Sequence, residues 1–389
     1  MIYLDNAATT WPKPESVYQA VDQCLRTRGA NPGRGGHGMA RAASLLLYET
    51  REALAELFGI ADANQLVFTY NATDAISMAV MGLADPGDSI VTTSMEHNAV
   101  ARTLRLAQSR GVTIHVIPCD STGQLDMQAM AAAIRQKPKA VVMTHASNVT
   151  GTIMPVAEVG KLTKEQGVAL VVDAAQTAGV EDIHVADMGI DILAFSGHKG
   201  LLGPQGTGGL YIHEAITVRP LRVGGTGSLS ESDLQPEFMP DSLESGTPNT
   251  PGIAGLNAGV QFILQTGQAA IRAKEMELTG QLLAGLLAIP AASVYGRLDL
   301  LGRTAVVSFT LKGQDSGQIA HLLDQQYAIA CRSGLHCAPW AHKTIGTLET
   351  GTVRLSPGYF NTQQEIEQAL AAIREIAAQG GFIHERDFS

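Results

Sequence analysis

The hydrophobic positions in the first two thirds of the chain form short apolar runs separated by amphipathic stretches. Such runs, bounded by glycine or polar residues, are typical of buried strands. They lie at residues 66–70, 89–93, 113–117, 140–144, 169–172, 192–195 and 208–212. Helical periodicity fills most of the gaps, at residues 74–83, 99–110, 126–136 and 156–165. This alternation predicts an α/β protein with a mainly parallel seven-stranded sheet covered by helices on both faces.

The order of elements changes after about residue 263. Two helical segments at about 268–287 precede a strand at 304–311, a helix at 316–326, strands near Ile329 and Val353, and a closing helix at 363–378. The chain opens with a short extended piece at 2–4, a helix ending near residue 28 and a long helix at 39–58. We therefore expect a large domain over residues 15–262 and a smaller α/β domain from residues 1–14 and 263–389.

Composition narrows the class of protein. Of the 389 residues, 45% are hydrophobic and 16% are charged, which is enough apolar material for a large core. The net charge of -10 argues against nucleic acid or an anionic membrane as a partner. The four cysteines show neither a disulfide framework nor a CxxC metal site, and no targeting or membrane-spanning segment is visible. We expect a soluble cytoplasmic protein without a metal centre.

The candidate chemistry lies where two buried strands end. Lys199 follows the apolar run at 192–195, and Asp173 follows the run at 169–172. Ligands of parallel sheets bind at the carboxyl ends of the strands, and a buried carboxylate there needs a partner. A protonated pyridine nitrogen would satisfy Asp173, while Lys199 could carry pyridoxal phosphate as a Schiff base. The alternatives are a solvated lysine, and an aspartate that pairs with arginine or caps a helix.

Three further polar residues follow strands in this region. Thr73 is expected to cap the next helix, whose free N–H groups could bind a phosphate. His97 could stack on a flat ring, although a lone histidine is more often a structural hydrogen-bonding group. Gln176 lies close enough to Asp173 in sequence to donate to the phenolic oxygen of the same ring.

These residues lie in motifs that resemble the pyridoxal-phosphate-dependent cysteine desulfurases, of the class V aminotransferase, fold type I group. The motifs are LDNAATT, NATDAI, MEHNA, HASNVTG, DAAQ, SGHKGLLGPQGTGGLY, ESGTPNT, RSGLHCAP and VRLSPGYFNT. The resemblance implies the fold type I architecture, a homodimer, and pyridoxal 5'-phosphate held as an aldimine on Lys199. Asp173 would hold the pyridine nitrogen and Gln176 the phenolic oxygen, while His97 would stack on the ring.

The resemblance also implies two further groups of site residues. The phosphate would be bound by Thr73, Ser196 and His198, with Thr247 reaching it from the other subunit. The substrate would be received by Asn148, Arg332 and Arg354, and Arg354 would pair with its carboxylate. Residues 224–244 are predicted to form a hairpin near the active site.

Cys337 distinguishes among reactions of such a cofactor. Thiols react as thiolates, and Arg332, His336 and His97 are the candidates for activating this one. A buried inert cysteine and a His336–Cys337 metal pair are the alternatives from the residues alone. The resemblance implies that L-cysteine gives alanine and a Cys337 persulfide, which passes to a protein acceptor in pathways such as iron–sulfur cluster assembly.

The stretch RSGLHCAP resembles the subgroup with a compact cysteine loop, which includes selenocysteine lyases. Selenocysteine lyase and cystine or cysteine C–S lyase activities are therefore the near alternatives. A non-catalytic scaffold that binds pyridoxal phosphate in a sulfur-transfer assembly is the distant one.

Overall fold

A computed structural model describes residues 1–33 and 35–379 of the protein. In it, the seven predicted strands form one sheet. The chain opens with β1 (Ile2–Tyr3), α1 (Glu15–Thr27) and α2 (Gly38–Phe58). The sheet strands are β2 (Leu66–Thr69), β3 (Ser89–Thr93), β4 (Thr113–Ile117), β5 (Ala140–Thr144), β6 (Ala169–Asp173), β7 (Ile192–Ser196) and β8 (Gly208–Ile212). A 3₁₀ turn (Ala63–Gln65) precedes β2.

The sheet is mainly parallel, as predicted. Its order is β2-β8-β7-β6-β5-β3-β4, and only β8 runs antiparallel to its neighbours. Both faces are buried, because alternate residues of β5, β6 and β7 enter two different hydrophobic clusters. The covering helices are α3 (Ala72–Leu83), α4 (Asn98–Ser109), α5 (Met127–Ile134), α6 (Val156–Gln166) and α7 (Thr250–Thr266). The carboxyl ends of the parallel strands therefore share one edge.

The remainder of the chain surrounds a four-stranded antiparallel sheet of order β12-β13-β10-β9. The elements are α8 (Gln268–Leu287), β9 (Ala292–Tyr295), β10 (Val307–Leu311), α9 (Ser316–Tyr327), β11 (Ile329–Ala330), β12 (Arg332–Gly334), α10 (Pro339–Thr344), β13 (Thr352–Leu355) and α11 (Gln363–Ala378). The N-terminal β1 joins this part by pairing in parallel with β11. A separate apolar cluster fills it, which favours the expected division into two domains, although the boundaries stay a prediction.

Several local predictions were wrong. Residues 268–287 form one helix, α8, because its buried leucines pack continuously against the small sheet despite Gly280 and Gly285. Residues 224–244 contain no strand, and Pro236 and Pro240 within them cannot donate to a hairpin ladder. The apolar pattern also did not predict the short strands β9 and β12. Within the described residues, no helix has the length and apolar character that crossing a membrane requires.

A buried carboxyl on α8 leads to a prediction for stability. Burial, and then the nearby Glu181, raise the pKa of Glu275 from 4.5 to about 8. Because the pKa of Glu275 is higher in the folded state, this carboxyl contributes its full free energy of stabilisation below about pH 4.5. That contribution is lost as the pH rises through about 8, where the buried carboxyl must ionise. We expect Glu275→Gln to have a higher Tm than the wild type at about pH 9, by several degrees.

Thermal unfolding of both proteins at about pH 5 and about pH 9 checks this expectation. Glu277→Gln is the matched control, because Glu277 lies on the same helix with an exposed side chain. An equal loss of Tm between the two pH values in wild type and Glu275→Gln would contradict it.

Candidate active site

Lys199 is delivered to the edge of the large sheet by β7 and a tight turn. The turn needs Gly197, because a Cβ there would lie 2.2 Å from Thr207 Oγ1. The Gly197 N–H donates to Thr207 O at 2.8 Å, and Leu202 N–H donates to Lys199 O at 2.8 Å. Burial lowers the pKa of Lys199 to about 8, and Asp173 acts in the opposite direction. A minor fraction of the amine, on the order of a tenth, is therefore uncharged near neutral pH.

Asp173 ends β6, the strand beside β7, and is 4% exposed. Its Oδ1 accepts a hydrogen bond of 2.9 Å from the Ala175 N–H. Among the described residues, no group donates to its second oxygen, Oδ2. Burial raises the pKa of Asp173, while the Ala175 N–H and Lys199 lower it. The carboxyl is therefore an acceptor that still needs a cationic partner.

One cavity of about 260 Å³ brings most of the predicted site residues together. Of the predicted residues, it is lined by Thr73, His97, Asn148, Asp173, Gln176, Ser196, His198, Lys199, Arg332 and Arg354. The two predicted residues outside this lining are Cys337 and Thr247. The sequence motifs thus converge in space although they are spread over most of the chain.

The start of α3 forms one end of the cavity. The predicted cap residue was wrong: Asn71 caps the helix, and its Oδ1 accepts from the Asp74 N–H at 3.0 Å. Thr73 lies in the first turn with an exposed side chain. Ser196 Oγ accepts from the Ala72 N–H at 3.0 Å, so the end of β7 is tied to the same helix start. Free N–H groups and hydroxyls at a helix start suit a phosphate.

His97 and Gln176 occupy positions beside the space between Lys199 and Asp173. His97 caps α4, and its Nδ1 accepts from the Ala99 N–H at 3.0 Å, which leaves the ring proton on Nε2. Burial, then the charge of Lys199, lower the pKa of His97 to about 4, so the ring is neutral. Gln176 donates its amide to Ala7 O at 3.0 Å, so the N-terminal segment holds it in place.

Arg354 on β13 reaches the cavity from the small sheet and is completely buried. Its Nη2 donates to Asp5 Oδ1 at 2.7 Å, and its Nη1 donates to Asn148 O at 3.0 Å. The Asn148 side chain donates to His336 O at 2.7 Å. Asn148 therefore connects Arg354 with the loop that carries Cys337.

Cys337 is exposed and lies in a loop held at two carbonyls. Asn148 binds the carbonyl of His336, and the Asn98 N–H at the start of α4 donates to Cys337 O at 2.8 Å. His336 and Cys337 both have positive φ, of 48° and 59°, which turns the thiol away from the buried imidazole. The Arg332 guanidinium lies 3.1 Å from Sγ through Nη2 and is the cation beside the thiol.

The expectation that His336 could activate Cys337 was wrong. His336 is 2% exposed, and its Nε2 pairs with Thr352 Oγ1 at 3.0 Å. Burial and the charge of Arg354 lower the pKa of His336, so the ring is neutral. In the described part of the chain, no cluster of three or more histidine, cysteine or acidic side chains could hold a metal ion.

Thr247 lies apart from the other predicted residues of its own chain. It is exposed and lines a second cavity of about 260 Å³, where Asn31 Nδ2 donates to its hydroxyl at 3.2 Å. A role at the cavity of Lys199 within the same chain has no support from this position.

Comparison with known proteins places the chain in a family. The profile described as "Aminotransferase class-V" matches residues 2–369. The chain belongs to the class-V aminotransferase family. A probable cysteine desulfurase of Methanothermobacter thermautotrophicus is 35% identical over 385 residues, which is 97% of this chain and 95% of the relative.

Solved structures of family members agree with this placement. The apo structure of a cysteine desulfurase from Thermococcus onnurineus matches with a TM-score of 0.91 and 35% identity, over 97% of this chain and 95% of that one. The Escherichia coli cysteine desulfurase CsdA matches with a TM-score of 0.85 and 27% identity, over 97% and 94%. The predicted resemblance and fold type I architecture are confirmed, and the family implies pyridoxal phosphate as cofactor. The subgroup stays a prediction.

The cavity of this class-V family member fits that cofactor. The free Oδ2 of Asp173 suits a protonated pyridine nitrogen, and the neutral fraction of the Lys199 amine suits covalent attachment. His198 Nδ1 is buried without a partner within the described residues, and His198 lines the same cavity as the start of α3, which would bind the phosphate. These unpaired groups are costly in a finished core, but they are expected in a site that binds a polar ligand.

Sequence reasoning missed two residues that hold this site. Asp5 pairs with Arg354, and Lys13 donates to His198 O at 2.8 Å. Burial lowers the pKa of Lys13 to about 7. The motif LDNAATT contained Asp5 and was a usable signal, whereas the contact of Lys13 depends on tertiary structure alone.

Proposed function

We propose that this protein is a cysteine desulfurase that converts L-cysteine to L-alanine and leaves the sulfur as a persulfide on Cys337. The observation that carries the proposal is the single cavity that joins Lys199, Asp173 and Arg354, with Cys337 next to its lining residue Arg332. The curated relatives named as cysteine desulfurases over nearly the full chain support the same reaction.

Each residue has a distinct task in this reaction. Pyridoxal phosphate, when bound, withdraws electrons from the substrate Cα. Asp173 would stabilise a positive charge on the pyridine nitrogen, and Lys199 would hold the cofactor covalently and move the Cα proton. Arg354 binds the substrate carboxylate. The neutral ring of His97 lines the cavity and would stack on the cofactor, with its Nε2 proton available to the site.

Cys337 completes the sulfur transfer. Its thiolate attacks the sulfur of the bound cysteine, so an S–S bond forms while the substrate C–S bond breaks. The electron pair of that C–S bond remains with Cβ, which gains one proton to become the methyl group of alanine, while Cα regains the proton that it lost. Overall, the Cys337 thiol and one L-cysteine are converted to a Cys337 persulfide and one L-alanine. The Arg332 guanidinium lies 3.1 Å from Sγ through Nη2, so its positive charge faces the reacting sulfur.

A homodimer accounts for the position of Thr247. Tyr70 lines the second cavity with an exposed side chain, and large apolar side chains are also exposed on the segments that contribute its other lining residues: Met39, Leu45, Tyr48, Leu221, Val223 and Phe238. Exposed apolar surface of this kind marks interaction sites. A partner subunit on this face would cover these side chains and bring Thr247 towards the phosphate of the other active site. A protein acceptor for the persulfide and a cytoplasmic location remain part of the proposal.

Turnover of three substrates tests the reaction. L-cysteine should yield alanine together with a trappable persulfide on Cys337, in equal amounts in the first turnover. A selenocysteine lyase would instead release selenide from L-selenocysteine much faster than it turns over L-cysteine, and this release would not depend on Cys337. Pyruvate and ammonia from L-cystine would identify a C–S lyase. A purified protein that shows the pyridoxal absorbance band but turns over none of the three substrates would favour the scaffold alternative.

A further inference from the structure

Arg354 lines the cavity that also holds Lys199, and it already has an acidic partner, Asp5. Its guanidinium is completely buried, yet among the described residues it makes only two hydrogen bonds, to Asp5 Oδ1 and to Asn148 O. Its Nε is buried and has no partner within the described residues. A buried guanidinium has five N–H donors, so donors remain for a bidentate ligand. Asp5 therefore occupies one side of the cation and leaves another side for the substrate.

Asp5 is held in place by its backbone. The residue forms a parallel bridge with Ser356, just after β13, and Tyr3 Oη donates to its carbonyl at 3.3 Å. The next residues continue this attachment, because Asn6 N–H donates to Ser356 O at 3.2 Å and Ala7 N–H donates to Ser356 Oγ at 2.9 Å. The carboxylate thus faces Arg354 before any ligand arrives, and its side chain is 21% exposed.

The charge of Asp5 acts on Arg354 in two ways. It stabilises a buried cation that would otherwise lack a counter-ion, and it fixes the orientation of the guanidinium. A carboxylate ligand bound to the same guanidinium would also lie close enough to Asp5 to be repelled by it. The first effect favours ligand binding through pre-organisation, whereas the second weakens it.

We propose that Asp5 is a positioning residue that presents Arg354 to the α-carboxylate of an amino acid and limits the affinity of the site for it. The inference rests on the proposed function in taking an amino acid as substrate. Its consequence is that the carboxylate of the product alanine is released readily, because the resident acid competes for the same cation.

Two substitutions separate the contributions of Asp5. Asp5→Asn keeps an acceptor for Nη2 but removes the charge, so the Kd of the holoenzyme for L-alanine should fall about tenfold. Asp5→Ala removes the acceptor and frees the guanidinium, so the same Kd should rise about tenfold or more. Calorimetric titration with L-alanine measures both values without turnover. Asp187→Asn, an exposed acidic position, is the control.

Steady-state kinetics with L-cysteine should show the same opposite changes: KM should be lower in Asp5→Asn and higher in Asp5→Ala than in the wild type. Weaker alanine binding in both variants would mean a merely structural role and would overturn the proposal, as would unchanged binding in both. Failure of the proposed function is distinguishable, since a wild-type protein that binds L-alanine but forms no persulfide from L-cysteine still tests the role of Asp5.

Discussion

Lys199→Ala is expected to lower alanine formation from L-cysteine by roughly 10⁴-fold or more, because one amine both holds the cofactor and moves the substrate proton. The buried position of the amine lowers the pKa of Lys199 to about 8, so more of the amine is neutral at a given pH than in an exposed lysine. No other described lysine lines the cavity. The measurements are the initial rate of alanine release and the visible absorbance of the bound cofactor, which should lose the band of the covalent form.

A second measurement separates chemistry from folding in this variant. Added methylamine should restore part of the proton transfer, because a small amine can occupy the space that the side chain leaves. Lys161→Ala, at an exposed position on α6, should behave as wild type. Retention of the covalent absorbance band by Lys199→Ala would show that another residue holds the cofactor.

The convergence of Lys199 and Asp173 on one cavity could be predicted because it depends only on the order of neighbouring strands. Two consecutive buried strands that run in parallel must end at the same edge of the sheet. Asp173 pairs in register with Ala194 of the next strand, and the turn at Gly197 then brings Lys199 back over that edge. Apolar periodicity and strand order therefore determine this half of the site.

The other half depends on contacts between distant parts of the chain, which periodicity does not describe. Asp5 and Arg354 lie 349 residues apart, and Asn148 meets His336 across 188 residues. The direction of the His336 ring depends on the positive φ angles at His336 and Cys337 and on Thr352. For this reason the sequence suggested His336 as an activator of the thiol, whereas the fold turns it into the core.

Cys337→Ser is expected to reduce alanine release by roughly 10³-fold or more, because a hydroxyl at this position is a far weaker nucleophile than a thiolate and cannot accept sulfur as a persulfide. The substitution changes one exposed atom, and the loop stays attached through Asn98 N–H and Asn148. The absorbance of the cofactor and the Kd for L-alanine should therefore equal those of the wild type. Loss of rate with intact binding assigns Cys337 to the sulfur transfer itself.

The chain offers matched cysteine controls for this prediction. Burial raises the pKa of Cys331 to about 12 and that of Cys119 to about 11, so both remain protonated thiols at neutral pH. Cys331→Ser and Cys119→Ser should keep the wild-type rate and still form one persulfide per chain. Because Cys337 is the exposed thiol beside a guanidinium, only its loss should abolish persulfide labelling. Desulfuration at the wild-type rate by Cys337→Ser would show that the sulfur leaves directly to solvent, as in a lyase.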